Sequence, residues 1–271
     1  MPRELRPVWM CRHLTIECPF VEISKTKIDR LGDRLRKGNI VDDDLRLLDE
    51  YRRSFTEAYE FVVGSIRQQL ALEPTGRPAK STTSISEKLR RESIRLTQIQ
   101  DIAGCRLVVP EIADQESVKA SIVEIFSGCI VIDRREKPSH GYRAVHVIAT
   151  TEGKSVEIQL RTALQQAWAE LSEKLADVVD PAIKYGGGDE NDKELLAEAS
   201  ITIAEEEALE FSALETQRDF EDLLSLDDLP KHRREVIMQV QKHFEVHKAN
   251  IAAAREDTLI VLRNAVKRFG E

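Results

Sequence analysis

Apolar positions recur at helical spacing near both ends of this chain and alternate with polar ones in its middle. Ser24 is placed to cap a helix running to Arg36, which Gly38 then ends. Across residues 42–72, Leu45, Leu48, Arg52, Phe55, Tyr59 and Val62 stand three and four apart. That spacing predicts one helical face, with its aromatic rings packed inward rather than holding a cofactor. Pro74-Thr75-Gly76-Arg77-Pro78 breaks any preceding helix.

The middle reads differently. Residues 84–93 predict a short helix, and residues 105–109 a strand stopped by Pro110. Residues 114–126 predict a helix with Val118, Ile122 and Ile125 on one side, and residues 129–133 a strand. Residues 142–150 and 154–160 predict an antiparallel pair turned at Glu152-Gly153, followed by a helix over 162–178. Gly186-Gly187-Gly188-Asp189 reads as a flexible junction. Beyond it, Leu196, Ala199 and Ile203 fit one helix. Ile237, Val240, Phe244, His247, Ile251 and Ala254 fit a longer one, and Pro230 separates the two. The expected fold class is α+β, a mixed β-sheet core flanked by N- and C-terminal helices. The expected divisions are a helical region over 1–75, the core domain over 76–188 and a second helical region over 189–271.

Composition narrows the class. The 271 residues are 41% hydrophobic and 32% charged, enough to bury a core without disulfides or metals. No apolar run approaches the ~18 residues that span a bilayer. Met1-Pro2-Arg3-Glu4 offers no signal-peptide segment, so the expectation is a cytoplasmic protein with no membrane partner. Cys11, Cys18, Cys105 and Cys129 form no C-x-x-C pair and read as free, buried thiols. His243 and His247 lack the H-E-x-x-H pattern and read as non-metal residues. A net charge of −8 disfavours a general nucleic-acid coat protein. The charge is uneven, however: bases prevail over 77–106, and acids over 189–228, centred on Glu205-Glu206-Glu207. The acidic run reads first as a solvated face, with an interaction surface as the alternative.

Candidate chemistry gathers in the middle. Lys80 and Ser84 lead into a helix whose next turns bring Lys88 and Arg91, three apart and so on one face. Hydroxyls and cations at a helix start suit a polyphosphate. Asp101 stands at the entrance of an apolar strand that carries Arg106, and a cation there is costly unless paired. In Val156-Glu157-Ile158-Gln159-Leu160-Arg161 the three polar residues share one strand face. Such a face is either solvated or lines a site. Tyr142 and His146, four apart, are expected on the same side of a strand, where a ring and an imidazole could hold a base and a phosphate.

These motifs, in this order, resemble the synthetase domain of the RelA/SpoT family, the alarmone (p)ppGpp synthetases. The resemblance runs from Lys80 to Tyr185 and rests on Lys80-Ser81, Ser84-Ile85 and Lys88, then on Gln100-Asp101-Ile102-Ala103-Gly104-Cys105-Arg106. It continues through Gly141-Tyr142-Arg143-Ala144-Val145-His146, Val156-Glu157-Ile158-Gln159-Leu160-Arg161-Thr162, Trp168-Ala169-Glu170 and Lys184-Tyr185. It implies a nucleotidyltransferase-like core and a GTP diphosphokinase, which transfers the β,γ-pyrophosphate of ATP to the 3′-hydroxyl of GTP or GDP with Mg²⁺. It further implies that Lys80, Ser84, Lys88 and Arg91 bind ATP phosphates and that Arg106 neutralises phosphate charge. Asp101 and Glu157 would hold Mg²⁺, with Glu157 also activating the acceptor hydroxyl. Tyr142 would stack on guanine and His146 contact acceptor phosphate, with Lys137, Gln159 and Arg161 supporting that side.

The chain departs from the family at three places. Pro78 stands where the family commonly has Arg two positions before Lys80, which leaves Arg77 to reach the donor base. The stretch before Gly141 carries His140, one residue more than usual, and the run Trp168-Ala169-Glu170-Leu171-Ser172-Glu173-Lys174 lacks the His that the family often has there. No His is followed by Asp, so the resemblance implies a small, single-function synthetase without the hydrolase domain. Its helical flanks are expected to make a homo-oligomer. Toxic relatives pyrophosphorylate the tRNA 3′ end and are neutralised by an antitoxin; Arg90, Arg95, Arg134 and Arg135 are the surface bases that reading needs. A reading of a different class is a non-catalytic nucleotide sensor that binds a partner through its helices.

Overall fold

Ser24 takes extended backbone, its hydroxyl accepts from the Lys27 amide, and α1 (Lys25–Lys37) follows until Gly38 ends it in left-handed conformation. The computed structural model describes residues 23–269, so Cys11 and Cys18 lie outside the described residues. Residues 42–72 form two helices rather than one, α2 (Asp42–Arg53) and α3 (Thr56–Leu70). The break at Ser54–Phe55 brings the Tyr51 and Phe55 rings edge to face at 5.2 Å, while Leu45 stays in solvent. A pattern of threes and fours hides such a break, because the phase is recovered on its far side.

Between Pro74 and Pro78 the chain forms an edge strand, β1 (Thr75–Arg77), where only a helix break was expected. The prolines confine it to three residues at the sheet margin. Then come α4 (Thr82–Arg91), β2 (Ala103–Val109), α5 (Ile112–Ile125), β3 (Ile130–Asp133), β4 (Val145–Thr151) and β5 (Lys154–Thr162). They are followed by α6 (Ala163–Val178), a 3₁₀ helix (Pro181–Tyr185), α7 (Glu190–Ser225) and α8 (Lys231–Arg268). The sheet order is β1-β2-β5-β4-β3; β2 and β5 run parallel and every other neighbouring pair antiparallel. Glu152 and Gly153, with φ of 49° and 72°, make the two-residue turn of the β4–β5 hairpin. The fold is α+β, a mixed five-stranded sheet flanked by N- and C-terminal helices.

Two apolar cores hold it. The first packs one sheet face, with Cys105, Leu107, Val147, Ile158 and Leu160, against Leu31, Leu48, Val62, Ile85 and Ile122 of the surrounding helices. Burial pushes the Cys105 thiol up to about 12, with the Glu157 charge adding to it, so this cysteine is an inert core residue. The second core joins Trp168, Leu171 and Leu175 of α6 to Ile183, Leu196 and Ile203 and to Leu259 and Leu262 of α8. Farther out on the α7–α8 hairpin the expected stripe is only partly covered. Phe244 meets Phe220 at 5.5 Å, but Val240, His247 and Ala254 are exposed.

The acidic run is not wholly a solvated face. Glu205 is exposed, but the Glu207 carboxylate is buried and accepts from Arg143 at 2.6 Å and from Gln165 at 2.6 Å. Glu210 accepts from the Ile112 amide at 3.0 Å, which satisfies a free N–H at the start of α5. Arg255 of α8 bridges Glu111 and Glu210. Acids one helical turn apart thus latch α7 onto the sheet domain, a role that charge counting could not separate from solvation.

Removing Glu207 would strand Arg143, whose side chain is only 12% exposed. Glu207→Ala is therefore expected to destabilise the protein by ~3 kcal/mol, read from urea denaturation. Replacing both partners with apolar residues should restore most of the loss, which distinguishes a stranded charge from a simple cavity.

Candidate active site

The register of the sheet builds the site. Gly104 pairs with Glu157 and Arg106 with Gln159 across β2 and β5, and His146 of β4 pairs with Gln159. Because side chains alternate, Arg106, Gln159 and His146 form a row on one face, with Glu157 and Arg161 beside them. The opposite face is the first core, so the polar groups have one direction to go. Above them lies a cavity of about 370 Å³ lined by Thr75, Arg77, Lys80, Asp101, Arg106 and Glu157, with Gln159 at its floor.

Asp101 sits just before β2 and is gripped by two ammonium groups, Lys80 Nζ at 2.6 Å and Lys88 Nζ at 3.0 Å. The Lys80 amide also donates to the Ile102 carbonyl at 2.7 Å, which fixes the start of α4 against the strand. Burial would raise the Asp101 carboxyl, but the charges of Lys88 and Lys80 outweigh it and hold it below the usual range. Ser81 caps α4 through the Ser84 amide, and Ser84, Lys88 and Arg91 follow along one helix face. Arg106 is the opposite case. Its Nε is buried with no hydrogen-bond partner, and no ion pair reaches its guanidinium among the described residues. Burial and the like charge of Arg161 lower its pKa. Glu173 and Glu170 act on it only at a distance. A half-buried cation with no ion pair of its own is costly, and an anionic ligand in contact with it would relieve that cost.

Glu157 is the centre of a second network. Its Oε1 meets His146 Nδ1 at 2.8 Å, and its Oε2 accepts from Gln159 Nε2 at 2.8 Å. His146 Nε2 lies 2.9 Å from the Tyr142 hydroxyl, which accepts from Arg161 Nη2 at 3.0 Å. Arg161 also donates to Gln159 Oε1 at 3.2 Å and to Gln166 Oε1 at 2.9 Å. Arg161 only donates, so the Tyr142 hydroxyl keeps its own hydrogen free for His146 Nε2, and the arrangement that then satisfies each group puts an imidazole hydrogen on Nδ1, toward Glu157. Burial would raise the Glu157 carboxyl, but the bonds from His146 and Gln159 win, and it is held low and ionised. Burial raises the Tyr142 hydroxyl.

Tyr142 reaches this network from a turn, not from the strand on which it was expected; β4 begins only at Val145. Gly141, with φ of +84°, makes that turn against Trp168, and its carbonyl accepts from Ser200 Oγ of α7 at 2.7 Å. A Cβ on Gly141 would fall 2.8 Å from the indole.

The expected site residues therefore fall into groups. Arg77, Lys80, Asp101, Arg106, Glu157 and Gln159 line one cavity. Lys88 joins through Asp101, and Tyr142, His146 and Arg161 join through Glu157 and Gln159. Ser84 Oγ accepts from Ser81 Oγ at the helix start, and Arg91 lies over the Tyr185 ring. Lys137 is exposed. Arg135 is no surface base: its side chain is 7% exposed and is held by Asp133 and Glu116. Thr75, Gln166 and Tyr185 were missed. Thr75 lies on a strand too short to show alternation, and Gln166 had no visible signal. Tyr185 belongs to the Lys184-Tyr185 motif, to which the resemblance assigns no role.

Residues 76–176 match the family described as the region found in RelA / SpoT proteins. An uncharacterized protein of Mycobacterium tuberculosis strain H37Rv and another of Mycobacterium bovis are each 38% identical over 123 residues, which is 44% of this chain. The match spans 44% of the length of those relatives as well. Among solved structures, the small alarmone synthetase 1 from Bacillus subtilis bound to its product pppGpp is 25% identical, with a TM-score of 0.46; the match covers 66% of this chain and all of that one.

The low Asp101 carboxyl has a consequence for stability. A group whose pKa is depressed on folding contributes stability above its unfolded value, and loses it as pH falls through the folded one. The stability difference between the wild type and Asp101→Asn, with chelator present, is therefore expected to be constant at neutral pH. It should shrink only as pH drops below the ordinary Asp value of 3.8. A difference that shrinks already near pH 6 would contradict the two-lysine grip.

Proposed function

Since residues 76–176 carry the region found in RelA / SpoT proteins, we propose that this protein is an ATP-dependent pyrophosphotransferase acting on the 3′-hydroxyl of GTP or GDP. The observation that supports this most is the shared cavity: two ionised carboxylates, Asp101 and Glu157, face a guanidinium, Arg106, that has no anion of its own. The carboxylates are close enough for the Asp101 charge to push on Glu157. Two carboxylates with room for phosphate oxygens and water are the donor set Mg²⁺ prefers, so Asp101 and Glu157 fit as its holders. When bound, the metal would offset phosphate charge.

The chain's own residues supply the rest. Lys80, Lys88 and Arg91, with Ser84 at the helix start, hold the donor phosphates, and Arg77 lies at the cavity rim. The 3′-oxygen of the acceptor attacks the β-phosphorus of ATP. The bond between the β-phosphorus and the bridging oxygen to the α-phosphate breaks, and AMP leaves. Glu157 takes the hydroxyl proton, and Arg106 balances the charge on the transferred group. Gln159 keeps the Glu157 carboxylate oriented. Tyr142 offers its ring to the acceptor base, beside His146 and Arg161, and Lys137 is assigned to the acceptor phosphates.

The test is transfer from ATP labelled at the γ-phosphate to GDP, GTP or bulk tRNA in parallel, with Mg²⁺. Label is expected on a guanine nucleotide, and Glu157→Gln should reduce the rate by about 10²-fold or more. Label on tRNA alone would make the protein a tRNA-modifying enzyme instead. Nucleotide binding with no transfer to any acceptor would overturn the enzymatic reading.

A further inference from the structure

The segment after α6 is a fixed strap. Ile183 is buried in the second core, and the Asp180 carboxylate accepts from the Ala182 amide at 2.8 Å. The Gly186 amide donates to the Ile183 carbonyl at 3.2 Å and the Gly187 amide to the Ala182 carbonyl at 3.0 Å. Gly186 has φ of +78° and lies so close to the His140 imidazole that a Cβ would overlap it. The triple glycine is therefore packed in place, where the sequence suggested a flexible junction. His140 directly precedes Gly141 and Tyr142, so the strap abuts the loop that carries the acceptor-side tyrosine.

At its other edge the strap meets the donor side. The Arg91 guanidinium carbon stands 3.8 Å from the centroid of the Tyr185 ring. No hydrogen bond involves the Tyr185 hydroxyl among the described residues, so the ring alone makes the contact. Arg91 keeps 35% of its side chain exposed, so the stack does not bury it, and its Nη2 also donates to Glu92 Oε1 at 3.1 Å, an edge contact that leaves the guanidinium face to the ring. It shares a helix face with Lys88, which reaches Asp101 at the cavity. A long cation on a helix surface samples many rotamers. A ring at stacking distance removes that freedom before the ligand arrives. The planar guanidinium then has one face covered and one face available for an anionic or planar group.

We propose that Tyr185 is a positioning residue for the donor nucleotide, holding Arg91 flat and ready for a nucleoside triphosphate. This rests on the assignment of Arg91 to the donor made above. The ring carries the effect, so Tyr185→Phe retains it and Tyr185→Leu does not. Steady-state kinetics of the full chain should show Tyr185→Leu raising KM for ATP by about threefold to tenfold, from the loss of a partly exposed cation–π contact. The acceptor KM and kcat should stay within twofold, and Tyr185→Phe should match the wild type. In an Arg91→Ala background, Tyr185→Leu should change nothing further. A Tyr185→Leu effect that persists without Arg91, or an unchanged KM for ATP, would overturn the proposal. If the wild type transfers pyrophosphate to no acceptor, the proposed function fails. The same proteins titrated with ATP by calorimetry then still decide the coupling of Tyr185 to Arg91.

Discussion

The parallel pairing of β2 with β5 is the constraint on which the rest depends. It sets Gly104 beside Glu157 and Arg106 beside Gln159, and it turns Cys105, Leu107, Ile158 and Leu160 together into the first core. A slip of one residue would bury Arg106 and Glu157 in that core and expose its leucines, so the register is held by burial itself. Parallel strands also need a long connection. Here α5, β3 and β4 supply it, and β4 returns as the neighbour of β5, bringing His146 alongside Gln159. The two carboxylates of the site are thus products of one pairing: Glu157 lies on β5, and Asp101 stands two residues before β2.

Charge is handled in opposite ways on the two sides of the cavity. Asp101 is neutralised by Lys80 and Lys88, and Glu157 is satisfied by His146 and Gln159. Arg106, in the same space, has no ion pair, and its Nε has no hydrogen-bond partner among the described residues. Carboxylates whose oxygens are paired hold their geometry, while a half-buried charge without an ion pair favours a ligand of opposite sign. This combination of rigid carboxylates and an unmet cation suits phosphate chemistry better than a structural role does.

The C-terminal helices are not an appendage to this site. Glu207 of α7 holds Arg143, Ser200 holds the Gly141 carbonyl, and the Leu196 carbonyl accepts from the Trp168 indole at 2.8 Å. The loop that presents Tyr142 is therefore pinned from behind by one helix. The 3₁₀ strap pins the residue before that loop and, through Tyr185, the end of α4. The loop that carries Tyr142 and the end of α4 thus rest on the same α6–α7 framework.

Much of the fold was legible because it follows local rules. Ser24 and Gly38 mark a helix, Pro110 stops a strand, and Glu152-Gly153 turns a hairpin, each through the backbone preferences of one or two residues. The shared face of Glu157, Gln159 and Arg161 follows from strand alternation alone. The break at Ser54, the short strand at Thr75 and the turn that carries Tyr142 were not legible, since each is decided by what packs against it. By itself the sequence determined the element types, the α+β class and the residues able to handle phosphate. Only the tertiary structure decided which of them share a cavity, that Arg106 has no partner while Arg135 has several, and that Glu207 is a latch rather than a solvated acid. Those outcomes depend on contacts between residues far apart in the chain, and no local pattern encodes whether a distant charge will arrive.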